Sequence, residues 1–260
     1  MNKVAQYLAP IQELGIKQGD VLFVSSDIKR LLFGYYEKYD EMLSVDDIID
    51  YFQQLVGEQG TLLFPTYNWG FCRGTAWDYY KTKSKTGALG AAALKRKDFK
   101  RTQHPIYSFA VWGKDQDLLC AMTNTSSFGA DSPFAYIEQH HAKNLVIDVT
   151  LTNCWTFAHY IEQQSGLITY RYEKNFTALY RDSQGVESTR TYSMFVRDLD
   201  LDVENDFDAI EEDFLRDGVS KKCMIDDIPC TLVDLQASVA PVMDDIRNNR
   251  SRKICKYKGQ

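Results

Sequence analysis

Over the first two-thirds of the chain, short apolar runs alternate with segments of helical period, the pattern of an α/β layer architecture. An opening helix interrupted at Pro10 leads through a Gly19-Asp20 turn into VLFVS (residues 21–25), read as a buried parallel strand. Ser44, with Asp47 three residues on, makes a capping box for a helix whose apolar stripe is Val45, Ile48, Ile49, Phe52, Leu55 and Val56; Gly57 and Gly60 end it. TLLFPTY (61–67) reads as the next strand, followed by an irregular aromatic stretch over 68–87. GALGAAALKR (87–96) predicts a small-residue helix, and IYSFAVWG (106–113) and LVIDV (145–149) predict further strands. The segment TFAHYIEQQ then predicts a helix after polar TLTNC.

From Leu167 the runs lengthen and alternate, with DSQG (182–185) as the turn of an antiparallel hairpin. The acidic segment DLDLDVENDFDAIEEDF is read as charge solvating a helix around Phe207, Ile210 and Phe214. The expected architecture is α/β: a layered, mostly parallel sheet flanked by helices, with a C-terminal antiparallel β-hairpin subregion. No repeat or low-complexity linker breaks the chain, so residues 1–260 are expected to form a single domain whose part from about 166 to 260 is β-rich and helical.

Composition narrows the partners. The 260 residues are 44% hydrophobic and 13% aromatic, enough for a large core. Thirty Lys plus Arg against 36 Asp plus Glu give a net charge of −6 without a basic block, which argues against nucleic acid or an anionic membrane as partner. Cys72, Cys120, Cys154, Cys223, Cys230 and Cys255 form no C-x-x-C and have no neighbouring His at metal-ligand spacing. They read as reduced thiols, with no metal site. With neither a signal-peptide core nor a membrane-spanning run, a cytoplasmic protein is expected.

Two of the four histidines stand where chemistry is done. Thr156, His159 and Glu162 are spaced by three and share a broad helix face, just after a strand end where α/β ligands bind. Near a helix start the dipole disfavours imidazolium, leaving the neutral ring a general base needs. The same spacing is equally met by a histidine bonded to backbone beside a solvated glutamate. His104, ahead of Pro105, is placed in a loop beside a strand, with or without a role. His140-His141 reads as a polar helix end. No Walker A or G-x-G-x-x-G motif is present. The strand end Ser25-Ser26-Asp27 and the following Ile28-Lys29-Arg30 offer a helix start, two hydroxyls and two cations to a pyrophosphate, although Asp27 is better suited to capping. In FGADSP (128–133), Ser132 and Pro133 suit a helix start.

Taken in order, GDVLFVSSDIKRLL, GTLLFPTYNW, TGALGAAALKR, RTQHPIYSFAVWG, FGADSP and TFAHYIE resemble the motifs of the aminoglycoside 3-N-acetyltransferase family, antibiotic acetyltransferases unrelated to the GNAT fold. The resemblance covers roughly residues 10–175. It implies transfer of an acetyl group from acetyl-CoA to a primary amine of an amino sugar or aminoglycoside, directly within a ternary complex. It implies His159 as general base with Glu162, and His104 as a further catalytic residue. Ser25, Ser26, Asp27, Ile28, Lys29, Arg30 and Ser108 are implied for coenzyme A, and Tyr67, Asn68, Trp69 and Thr156 for the acceptor. No metal is implied, and a homo-oligomer is compatible with it. The chain departs from the family at Ser25-Ser26-Asp27, where members often have His-Ser-Ser or His-Ala-Ser, and at Asn153, where they have Asp. It also lacks a histidine over 121–127. Two other readings stand beside this one: a non-catalytic relative that binds sugar or CoA, and a hydrolase using Ser26 and His159, the latter without a G-x-S-x-G elbow.

Overall fold

The computed structural model describes residues 2–258. Its strands are β1 (Val21–Ser26), β2 (Thr61–Pro65), β3 (Trp77–Asp78), β4 (Lys100–Arg101), β5 (Phe109–Gly113), β6 (Lys143–Ile147), β7 (Arg171–Arg181), β8 (Glu187–Arg197), β9 (Val203–Asn205), β10 (Ser220–Ile225), β11 (Ile228–Asp234) and β12 (Cys255–Tyr257). The central sheet has seven strands in the order β10-β11-β6-β1-β2-β5-β4. β6, β1 and β2 run parallel, and the strands outside them pair antiparallel, so five of the seven point the same way.

The strands are buried because both sheet faces are covered. Leu22 and Val24 of β1 face one core with Leu62, Phe64, Leu145 and Ile147, while Val21 and Phe23 face the other with Leu63, Phe109 and Val146. This alternation is the two-residue period of a pleated strand. The first core is covered by helices Lys29–Tyr39, Val45–Val56 and Ala88–Ala93; the second by helices Pro133–Gln139, Phe157–Ser165 and Leu235–Asn249. The capping box is formed: Asp47 N donates to Ser44 Oγ at 3.0 Å, and Ser44 N donates back to Asp47 Oδ2 at 3.0 Å. Ser132 caps the helix that Pro133 begins.

Several boundaries move for local reasons. The strand predicted over 106–113 starts only at Phe109, because residues 106 and 107 bend around the His104 side chain. The strand predicted over 145–149 lies at Lys143–Ile147, ended by Asp148 in a left-handed conformation, φ 53°. The small-residue helix spans Ala88–Ala93 and sits hard against the end of β2: a Cβ on Gly90 would stand 2.3 Å from the Pro65 carbonyl oxygen. The hairpin β7–β8 forms around the predicted turn, with β3 completing a three-stranded sheet. The acidic segment divides: its second half is helix Asp208–Arg216, which buries Ile210 and Phe214, whereas its first half turns into β9 and pairs with β12. No helix among the described residues is long and apolar enough to cross a membrane.

Candidate active site

Two cavities meet at the start of helix Phe157–Ser165. The first, about 290 Å3, opens at the C-terminal ends of the three parallel strands, where an α/β sheet gathers its ligands. Ser25 and Ser26 come from β1, Pro65, Tyr67 and Trp69 from β2 and its exit, and Val149, Asn153, Cys154 and Thr156 from the chain after β6. Thr86, Gly87 and Gly90 close it. The two glycines present bare backbone to the space, and Gly87 takes φ 64°. The Tyr67 hydroxyl on this wall is buried without a hydrogen-bond partner, a site where a bound polar group would recover a bond. Its burial holds the phenol well above its ordinary pKa, so it is a donor rather than a base. A largely apolar slot with bare backbone and one orphaned hydroxyl fits the thiol-bearing arm of coenzyme A.

The second cavity, about 610 Å3, lies on the other side of the same helix start and is walled by Tyr107, by the ends of β7 and β8, and by residues 198–200 and Asn205. The cavities share an aromatic wall, since Tyr67 and Tyr107 pack edge to face with ring centroids 4.8 Å apart. One helical turn carries Thr156 in the first cavity and His159 in the second.

His159 Nδ1 lies 2.6 Å from Glu162 Oε2. The carboxylate fixes the tautomer: Nδ1–H donates to it, and Nε2 keeps its lone pair toward the cavity. Glu162 is 1% exposed and is held from behind by the Tyr170 hydroxyl at 2.8 Å and by an ion pair with Arg171 Nε at 3.0 Å. Arg171 in turn donates to Asn205 Oδ1 at 2.6 Å, which turns the Asn205 amide nitrogen toward His159 Nε2, 3.4 Å away. Burial, and then the Arg171 charge, push the His159 pKa below its ordinary value against the opposing pull of Glu162. Burial alone would raise the Glu162 carboxyl, but His159, Arg171 and Tyr170 together hold it below the usual range. At neutral pH the pair is therefore a neutral imidazole backed by a carboxylate.

The other predicted residues divide. Ser25, Ser26, Tyr67, Trp69 and Thr156 line the first cavity together, so the residues expected for the coenzyme and for the acceptor share one space there. His104 is 2% exposed and lines neither cavity. Its Nδ1 accepts from the backbone of Ile106 and Tyr107 at 3.3 and 3.2 Å, its Nε2 faces Ser127 Oγ at 3.5 Å, and burial drives its pKa down to about 3. It organises a turn. Ser108 is fully buried, bonded to Thr66 and accepting from Arg101 Nε at 3.0 Å, so it supports the end of β2 and does not reach the coenzyme cavity. Asn68 pins the aromatic loop through Lys83 O and Gly70 N. Arg30 is taken by Asp148 at 2.6 Å and Asp227 at 2.5 Å. Asp27 caps the chain at Lys29 N, Ile28 is buried, and Lys29 is 88% exposed.

Sequence reasoning missed Tyr107, Tyr170, Arg171 and Asn205. Arg171 opens an alternating run only nine residues after Glu162, and that proximity was the one available signal. Asn205 sat inside an acidic stretch read as solvated surface.

The site is thus a His–Glu pair set between a slot at the C-terminal ends of parallel strands and a polar cleft, on an α/β scaffold. The profile of the aminoglycoside 3-N-acetyltransferase family matches residues 36–246, and the chain belongs to that family. It is an N-acetyltransferase with acetyl-CoA as co-substrate. Solved structures share the fold at low identity. AAC-IIIb, solved as a binary complex with CoASH, is 19% identical with a TM-score of 0.73 over 91% of this chain and 93% of that one. AAC(3)-IIb gives 18% and 0.76 over 95% and 98%, and the YokD protein from Bacillus subtilis 19% and 0.75 over 96% and 94%. No curated protein matches the sequence.

Proposed function

We propose that the chain transfers an acetyl group to a primary amine of an amino sugar, with His159 as general base. The observation that carries this reading is a neutral, Glu162-backed imidazole whose Nε2, met only by the Asn205 amide at 3.4 Å, lies in a cleft that adjoins the coenzyme slot across the Tyr67–Tyr107 pair. Acetyl-CoA, held against Ser25, Ser26, Thr86, Gly87, Gly90 and Tyr67, supplies the acyl group, its C–S bond breaking as the C–N bond forms. His159 Nε2 removes the proton from the attacking amine. Glu162 keeps Nδ1–H in place and offsets the charge of the imidazolium that results; being sealed from solvent, it orients the base and does not hold the acceptor ammonium. Arg171 and Tyr170 keep Glu162 ionised and fixed. The structure of AAC-VIa bound to sisomicin, 18% identical to this chain, places an aminoglycoside on the same fold.

His159→Ala is expected to lower kcat for free-thiol release by roughly 10³-fold while calorimetric binding of CoA is retained. A variant that transfers acetyl at the wild-type rate removes His159 from the mechanism. Loss of CoA binding in the same variant assigns it to the slot instead.

A further inference from the structure

We infer that the Tyr67 hydroxyl donates a hydrogen bond to the acyl oxygen of bound acetyl-CoA and holds it through transfer, which makes Tyr67 a catalytic residue; this rests on the proposed acetyl transfer. The slot and the cleft are lined by different residues, and the Tyr67–Tyr107 ring pair stands between them. A C–N bond forms only if the acyl carbon from the slot and the amine beside His159 come within bonding distance. The acyl group must therefore lie at that ring pair when it is transferred. Tyr67 belongs to the slot wall, and Thr156, its neighbour there, is one helical turn from His159.

The hydroxyl is free for this role. Its oxygen is buried without a hydrogen-bond partner, and among the described residues it is the one such orphaned side-chain atom on a residue lining the slot. The Thr156 side chain is near enough to temper the rise in the phenol pKa, yet the two make no hydrogen bond. The other side-chain donors around the slot are spent or wet. Thr86 Oγ1 donates to Pro65 O at 3.1 Å, the Asn153 amide donates to Thr150 Oγ1 at 2.9 Å, and Ser25 Oγ accepts from Asn144 at 3.2 Å. Ser26 and Thr156 are partly exposed and can turn to water, whereas Tyr67 is 3% exposed. A buried hydroxyl without a partner costs stability, a cost that an acceptor atom on a ligand removes. Negative charge builds on the acyl oxygen as the amine adds, and a fixed neutral donor in a water-poor wall meets it without reorganising. Burial keeps the phenol protonated far above neutral pH, so it donates while His159 carries the proton.

Tyr67→Phe in the full chain removes the hydroxyl and keeps the ring against Tyr107. With sisomicin or glucosamine as acceptor, kcat for thiol release is expected to fall about 10²-fold, while KM for acetyl-CoA and calorimetric CoA affinity stay within about 3-fold. The unfolding temperature of the ligand-free variant should equal or exceed that of the parent, because an unpaired polar atom has left the core. The acid limb of kcat/KM should stay in place, since the phenol does not titrate there. One further measurement needs no turnover: in isotope-edited infrared spectra, the thioester carbonyl of bound acetyl-CoA should absorb at lower frequency in the parent chain than in Tyr67→Phe. Undiminished turnover, or the same carbonyl band in both proteins, overturns the inference and leaves acetyl transfer standing. A shifted acid limb, or an unfolding temperature lowered by several degrees, also overturns it, since the hydroxyl would then act through His159 or hold the fold. If the parent chain releases no thiol with either acceptor, acetyl transfer fails, and the carbonyl band still decides whether the hydroxyl meets the acyl oxygen.

Discussion

The slot proposed for the coenzyme and the cleft proposed for the acceptor touch at one helix start, yet they are made of different material. The slot is formed at the ends of three parallel strands by uncharged side chains, the rings of Tyr67 and Trp69 among them, and by two glycines, so its shape follows from the sheet itself. The cleft is formed by long side chains at the ends of an antiparallel hairpin and by an irregular acidic segment laid over it. A slot of the first kind is dictated by topology and tolerates few changes, since even a methyl at Gly90 collides with β2. A cleft of the second kind can change its charges without disturbing the scaffold. The difference teaches why cofactor and family are easier to read from such a chain than the acceptor is.

The largest effect that tests this division is at Glu162, which belongs to the scaffold by burial and to the cleft by contact. Glu162→Gln should lower kcat/KM by roughly 10²-fold, because the amide leaves Arg171 buried without its counter-charge and loosens the His159 tautomer. The pH profile carries the sharper readout. Glu162 raises the His159 pKa against burial and Arg171. Its removal therefore moves the acid limb of kcat/KM to lower pH. A limb that stays in place, or moves up, would show that the imidazole is not the titrating base.

His104 provides the contrast. It shares a depressed pKa with His159, but its ring is sealed in the core and lines neither cavity, whereas His159 lines the larger one. Its proton is excluded from the native state down to about pH 3, whereas the unfolded chain takes it up near 6.5. Between those values the unfolded state binds more protons, so stability falls as the pH is lowered, by up to about 1.4 kcal/mol per pH unit. Thermal unfolding of His104→Asn from pH 7 to pH 4.5 should show a shallower loss than the parent chain. Equal slopes would mean that His104 titrates in the folded protein and is reached by solvent.

These cases show what was legible. The strands, the capped helix and the hairpin follow from apolar period and turn chemistry, which act within a few residues. His159 and Glu162 were readable because one helix face brings them together. Arg171 and Asn205 were not, because they reach Glu162 and His159 only after the hairpin and β9 have folded back. His104 and Ser108 lie in the core and line neither cavity, which their motifs alone do not reveal. A motif marks a residue as needed, and burial decides whether the need is chemical or architectural.

The smallest effect is expected at Arg30, which does not line the slot. As two cations beside a helix start, Lys29 and Arg30 read as a pyrophosphate clamp, but the Arg30 guanidinium ties Asp148 at the end of β6 to Asp227 in the β10–β11 turn. Holding a phosphate as well would require it to leave one of those carboxylates, Asp148 being largely enclosed with a side chain only 12% exposed. Arg30→Ala is therefore expected to cost at most about 1 kcal/mol of stability, as half-exposed ion pairs do, and to change CoA affinity by less than about 2-fold. A 10-fold loss of CoA affinity, with the unfolding temperature unchanged, would return Arg30 to the coenzyme. It would also mean that the slot relies on long charged side chains after all, and the contrast between the two cavities would fail where it is most exposed to solvent.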